Sequence, residues 1–114
     1  MPVLDLHVTL DTLAVTFDLS NEDMARAIGA SAASIKRWRT GSHLPQGESR
    51  KRLDALWDLK DRLDNSFTTP AGARTWLNAR SRYLGDFTPR DALLLGYTDR
   101  VNAALEALDS GVFL

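Results

Sequence analysis

"SNEDMARAIGASAASIKRWRTG", Ser20 to Gly41, is the stretch that decides the fold. Ser20 is placed to N-cap a helix, and Asp23 follows three residues later, where a capping-box acid reaches back. Gly29 ends that helix, because without a Cβ it takes a left-handed backbone at no steric cost. Ser31 then caps a second short helix that stops at Gly41. Two short helices that meet at about 90–120° through a tight turn form a helix-turn-helix, and the motif needs particular residues at particular places. A small residue must allow close approach, and Ala25 supplies it. The turn must be left-handed, and Gly29 supplies that. Apolar residues must lock the second helix, and Ile28, Ile35 and Trp38 do so. Two helices packed around a glycine with no nucleic acid involved would satisfy the same pattern, so that alternative stays open.

If Ala25, Ile28, Ile35 and Trp38 face inward, helical geometry makes Ser31, Ala32, Ala33, Lys36, Arg37 and Thr40 the outward face. In a helix-turn-helix the N-terminal part of the second helix meets base edges in the major groove. Lys36 and Arg37 then suit guanine edges or phosphate, and the alanine methyls suit thymine methyls. Ser31 and Thr40 suit phosphate oxygens, as do Arg39, His43, Arg50 and Lys51 at the flanks. Arg52 is expected inside the following helix, paired with a nearby acid. Each cation alone reads as solvated surface charge; their joint placement on one face is what points to DNA.

The charge distribution agrees. The formal net charge is −1, but it is uneven. Residues 1–30 hold one arginine against five acids, and residues 31–52 hold six cations against Glu48 alone. A basic block within an otherwise acidic chain makes a polarised surface that steers anions.

The rest of the chain also reads as helix. Leu10, Leu13, Ala14 and Phe17 form an i, i+3, i+4, i+7 stripe despite β-branched neighbours. "ESRKRLDALWDLKDRLD" is a longer helix with Leu53, Leu56, Trp57 and Leu63 on one face. "NSFTTPAG" is a plausible boundary. Thr69–Pro70 then reads as cap and first position of a helix through "PAGARTWLNARSRYL", and Thr88–Pro89 starts another. Val101, Ala104, Leu105 and Leu108 give the last helix its stripe, closed by Gly111. With 44% apolar and 25% charged residues among 114, this is ordinary globular composition for one domain, or for two small helical lobes sharing a core. The expected class is all-α.

Composition also excludes chemistry. There is no cysteine, so disulfides and thiolate zinc sites are ruled out and a reducing, cytoplasmic setting is expected. No apolar run is long enough to span a membrane, and "MPVLDLHV" lacks the build of a signal peptide. His7 and His43 lie far apart in sequence. Asp91 with Asp99, and Glu106 with Asp109, read as helix-surface carboxylates, so no metal, cofactor or catalytic site is expected. The last six residues, "DSGVFL", show an apolar end beyond Gly111, which either folds back or is buried by something else.

From Trp76 onward the sequence resembles the toxin-binding domain of the Xre/MbcA/ParS antitoxin family. The matching features are Trp76–Leu77, Leu84–Gly85 before a loop, Thr88–Pro89 opening a helix, and Asp91–Leu93. Gly96, Arg100–Val101, Leu105 and the Gly111–Phe113 ending continue the pattern, and the helix-turn-helix lies where this family carries one. The chain departs from the family at Asn78–Ala79–Arg80–Ser81–Arg82 and at Gly85–Asp86. The resemblance implies residues 1–66 as a helix-turn-helix DNA-binding region and residues 67–114 as a toxin-binding region. It implies a RES-domain toxin that consumes NAD as protein partner, blocked at its active cleft by Gly111, Val112, Phe113 and Leu114. It places Trp76, Arg80 and Arg82 with the toxin-binding residues, and it implies repression of the operon through operator DNA. Self-association is expected, as a homodimer or through a hetero-oligomer with the toxin. The competing reading is a stand-alone repressor whose C-terminal helices only dimerise it.

Overall fold

The computed structural model describes residues 5–111, and within them the chain is seven α-helices with no strand. In chain order these are α1 (Leu6–Phe17), α2 (Asn21–Ile28), α3 (Ala32–Thr40), α4 (Gly47–Ser66), α5 (Pro70–Leu77), α6 (Pro89–Leu94) and α7 (Thr98–Ser110). A single 3₁₀ turn spans Arg82–Leu84.

The helix ends are where local chemistry puts them. Ser20 Oγ accepts from Asp23 N at 3.1 Å, and Asp23 Oδ2 accepts from Ser20 N at 3.3 Å, closing the capping box of α2. Gly29 ends α2 at φ +76°. Ser31 accepts from Ser34 N at 3.0 Å to start α3. Thr69 and Thr88 cap α5 and α6 by accepting from Gly72 N and Asp91 N, each with proline at the first helical position. Among the helix ends that close without a glycine, that of α1 is left-handed. Asp18 closes α1 at φ +54°, a left-handed position that aspartate tolerates better than most residues.

The helix beginning at Pro70 is shorter than its sequence pattern suggests: α5 stops at Leu77 rather than running on to Leu84. The Asn78 side-chain amide donates to the Arg74 carbonyl at 2.9 Å, and Ala79 N turns to Trp76 O, tightening the last turn. A loop follows, closed by Ser81 N to Phe87 O at 3.0 Å and Asp86 N to Ser81 O at 2.8 Å. Those bonds satisfy the backbone outside a helix, so propensity does not carry the helix through.

Helix α4 is central and packs against α1 and α2 as well as α5 and α7. It therefore buries a wide stripe: Leu53, Leu56, Leu59 and Leu63 are all sealed, while Trp57 is only half-buried. Leu59 was not evident in the sequence face built on Leu53, Leu56, Trp57 and Leu63. The buried residues form one continuous cluster from Leu10 in α1 to Leu105 in α7. Two side-chain ties hold the last helices to the rest of the fold, one to the α1–α2 junction and one to the end of α4. Arg90 of α6 donates to the Asp18 carbonyl at 2.7 Å and to Asp23 at 3.1 Å, and Ser66 donates to Asp109 at 2.7 Å.

Leu108 departs from its stripe. Val101, Ala104 and Leu105 are buried, but Leu108 remains 42% exposed, because it faces a groove that no other helix among the described residues fills.

Candidate functional site

The first candidate surface is the outer face of α3. Ile35 and Trp38 are buried against α1 and α2, with Ala25 and Ile28 beneath them. This seating leaves Ser31, Ala33, Lys36, Arg37 and Thr40 exposed and Ala32 partly so, on the face expected from the 3.6-residue period. Arg37 is oriented rather than free: its Nη2 lies 3.3 Å from Ser34 Oγ, which is itself 3.0 Å from Ser31 Oγ. Thr40 donates to the Arg37 carbonyl at 3.1 Å, and its hydroxyl meets Ser42 Oγ at 2.7 Å. Lys36 makes no ion pair among the described residues. His43 is exposed in the loop after α3 and lines one cleft with Ser34, Arg37, Trp38 and Ser42. Ser34 and Ser42 were not singled out in sequence, since serines signal little until the helix register places them beside Arg37.

Three of the remaining cations of the basic block, Arg39, Arg50 and Arg52, pair within the fold. Arg50 pairs with Asp54 at 3.3 Å and Arg52 with Glu48 at 3.6 Å, both one turn along α4. The Arg52 pairing is the one its position in the helix implied. Lys51 is exposed beside Arg52 and Asp99. Arg39 differs most from the expected outward role. Its Nε donates to Asn21 Oδ1 at 3.2 Å and its Nη1 to the Asp11 carboxylate, and its side chain is only 18% exposed. Asp11 also lies 3.2 Å from His7 Nε2. The hydrogen bond from Arg39 holds the Asp11 carboxyl below its usual range, against the opposing effect of partial burial, with the charges of Arg39 and His7 adding to it.

The second candidate surface is a groove of about 230 Å³ between the end of α5, the loop after it, and α7. Trp76, Ala79, Tyr83, Ala104 and Leu108 give it an apolar floor, and Arg80, Ser81 and Arg82 complete its lining. Trp76 is half-buried and tilts against Phe67, ring centroids 6.1 Å apart. The three residues the resemblance singled out here, Trp76, Arg80 and Arg82, are thus brought together on one groove. Arg80 and Arg82 make no ion pair among the described residues. Tyr83 and Leu108 were not picked from sequence; the only signal for Leu108 was its place at the end of a stripe. Gly111 ends α7 at φ +70°. Val112, Phe113 and Leu114 lie outside the described residues.

No group of three or more His, Cys, Asp or Glu among the described residues is placed to hold a metal ion. Glu106 faces Arg62 at 3.8 Å and Asp109 accepts from Ser66, so both serve the α4–α7 contact. No helix among the described residues is long and apolar enough to cross a membrane.

A seven-helix chain with an exposed cationic helix face and a separate apolar groove matches the class that the resemblance implied, a small helical antitoxin. No protein-family model matches the chain. Individual relatives do. It is 34% identical over 98 residues to the probable mycobacterial cidal antitoxin Rv3188 of Mycobacterium tuberculosis, an alignment covering 86% of this chain and 83% of that protein. It is 30% identical over 96 residues to the mycobacterial cidal antitoxin MbcA of Mycobacterium bovis, covering 84% of each. Its fold superimposes with a TM-score of 0.68 on a chain in the crystal structure of the M. tuberculosis MbcT–MbcA toxin–antitoxin complex, at 28% identity over 100% of both chains. The chain belongs to the mycobacterial cidal antitoxin family of MbcA and Rv3188.

Proposed function

We propose that this chain is the antitoxin of a type II toxin–antitoxin module, that it binds and blocks a RES-domain, NAD-degrading toxin, and that it represses its own operon. The observation that carries the reading is the full-length likeness to a chain of the MbcT–MbcA complex, the complex of a toxin with its antitoxin. The surface chemistry supports it. Of the eight large hydrophobic residues left exposed among those described, five fall between residues 83 and 108: Tyr83, Phe87, Leu95, Tyr97 and Leu108. Apolar surface of that kind, with aromatics and unpaired arginines beside it, is what a protein interface uses.

In this reading residues 67–114 are the toxin-binding region. Trp76, Arg80 and Arg82 engage the toxin from the groove, and Gly111 to Leu114 enter its cleft with Phe113 as the anchor. Residues 1–66 are the DNA-binding region, with Ser31, Ala32, Ala33, Lys36, Arg37, Thr40 and His43 on the operator and the whole acting as a homodimer or as a hetero-oligomer with the toxin. It works in the cytoplasm, without cofactor or metal and without catalysis of its own.

The test is co-expression with a RES-domain toxin. Deleting residues 112–114 is expected to abolish rescue of growth and of cellular NAD, with the helical circular dichroism unchanged. Full rescue by the truncated chain would overturn the blocking mechanism. A stand-alone repressor, by contrast, would bind DNA and fail to protect cells in either form.

A further inference from the structure

The cations of α3 are not equivalent. Lys36 and Arg37 are exposed on its outer face, whereas Arg39 turns back across the helix pair. Arg39 follows Ile35 by one turn, so it sits at the edge of the buried seam rather than opposite it. There it joins three helices: its guanidinium donates to Asp11 of α1 and, at 3.2 Å, to Asn21 at the start of α2. The packing of Ile35 and Trp38 sets how close α3 lies to its neighbours, but apolar contact is non-directional and leaves rotation about the seam soft. Two hydrogen bonds from one planar fork, to partners on two different helices, fix that rotation.

We infer that Arg39 is a positioning residue: clasped by Asp11 and Asn21, it sets the angle at which α3 presents Ser31, Lys36, Arg37 and Thr40, and it does not itself touch DNA. This rests on the DNA-binding reading of α3. A guanidinium that left the clasp for a phosphate would abandon both partners and leave the Asp11 carboxylate without its hydrogen-bonded cation, so the exchange gains little.

The two roles make opposite predictions. A phosphate clamp adds sequence-independent affinity and about one unit of salt slope, whereas a positioning residue adds discrimination between sequences and no slope. The experiment measures binding of the full chain to two 30-bp duplexes by fluorescence anisotropy between 50 and 200 mM NaCl. One duplex carries the promoter of the chain's own gene, and the other is its scrambled counterpart.

The Lys36→Ala, Arg37→Ala double variant first tests the reading itself. It is expected to weaken binding to both duplexes and to flatten the salt slope by about two units. No change would overturn the reading of α3, and the inference with it. With that loss in place, Arg39→Ala is expected to cut the preference for the promoter duplex about tenfold, the value of one well-made base contact, at unchanged salt slope. Asp11→Ala should do the same, and combining the two should add nothing. Arg39→Lys should not rescue, since an ammonium lacks the fork. Asn21→Ala, which leaves the Ser20–Asp23 cap intact, gives the same readout if the Arg39 variants fail to fold.

The clasp is overturned if Arg39→Ala weakens both duplexes equally and flattens the slope by about one unit while Asp11→Ala binds as well as the wild type or better. It is also overturned if the wild-type chain shows no preference for the promoter, because there would then be no base reading to position.

Discussion

Arg90 is the side chain on which the seating of α6 against the α1–α2 junction depends, and replacing it with alanine is a quantitative test of that seating. Its Nη2 donates to the Asp18 carbonyl at 2.7 Å and to Asp23 Oδ2 at 3.1 Å, with both side chains of the ion pair 24% exposed. Hydrogen bonds to charged groups are worth about 1.5–3 kcal/mol when well buried. Two considerations lower the sum. Solvent reaches a quarter of the pair and screens it. Arg90 Nε is buried without a partner, so the wild type already carries one desolvation cost that the variant removes. The net loss in Arg90→Ala is then about 2 kcal/mol. For a domain of this size each kcal/mol moves Tm by about 3–5 °C, so the melting midpoint should fall by about 6–10 °C. Thermal and urea denaturation followed by circular dichroism at 222 nm measure it directly. Because Asp23 also caps α2, a double-mutant cycle with Asp23→Ala separates the ion pair from the cap, and a coupling of about 1 kcal/mol is expected. A Tm for Arg90→Ala within about 1 °C of the wild type, or strictly additive losses in the cycle, would refute the claim that this contact holds the two ends of the fold together.

Three further predictions concern the turn, the charges and the core. Gly29→Ala should cost about 1–2 kcal/mol for an alanine at φ +76°, and its Cβ would stand 2.8 Å from Arg52 Nη1. Adding Arg52→Ala should recover only the steric part of that cost, and a Gly29→Ala protein that melts like the wild type would show that the turn does not need the left-handed residue. Lys60 is held protonated above its usual range chiefly by its hydrogen bond to Asp64, 2.8 Å away, with the Asp64 and Asp61 charges assisting and burial opposing. Its raised folded value means that its stabilisation is present below about pH 10.4 and fades as pH climbs further. Asp11 is the converse case: its lowered value makes its contribution present above about pH 3.9 and lost on acidification below that. Lys60→Met should therefore flatten the alkaline limb of a stability–pH curve and Asp11→Asn the acid limb, and variant curves that run parallel to the wild type there would contradict the assignments. Finally, Leu63→Ala, at a fully buried site, should lose about 2–5 kcal/mol in urea titration, whereas Leu108→Ala, in the open groove, should lose less than about 1 kcal/mol. Equal losses would mean that the groove is part of the core.

What could be read from the sequence of this protein is what is encoded within a turn or two of helix. The Ser20–Asp23 box, the left-handed Gly29, the Ser31 cap and the Thr–Pro starts at residues 69 and 88 all act over three residues, and all stand in the structure as the residues imply. The inward set Ala25, Ile28, Ile35 and Trp38 follows from the helical period alone, and with it the outward face of α3. The early end of α5 was not legible, because it depends on Asn78 and on a loop closed between Ser81 and Phe87. Nor were the long-range partners of the cations. Arg39 reaches an acid 28 residues away, and Arg90 reaches an acid 67 residues away. Leu108 carries the same stripe signal as Leu105, yet one is exposed and the other sealed. The groove that gathers Trp76, Arg80, Arg82, Tyr83 and Leu108 exists only where α5, its loop and α7 meet. Helix capping and periodicity are short-range consequences of backbone geometry, so residue order determines them. Which cation is spent on the fold and which is left for a partner depends on the acids that packing brings within hydrogen-bond reach, and only the tertiary structure decides that.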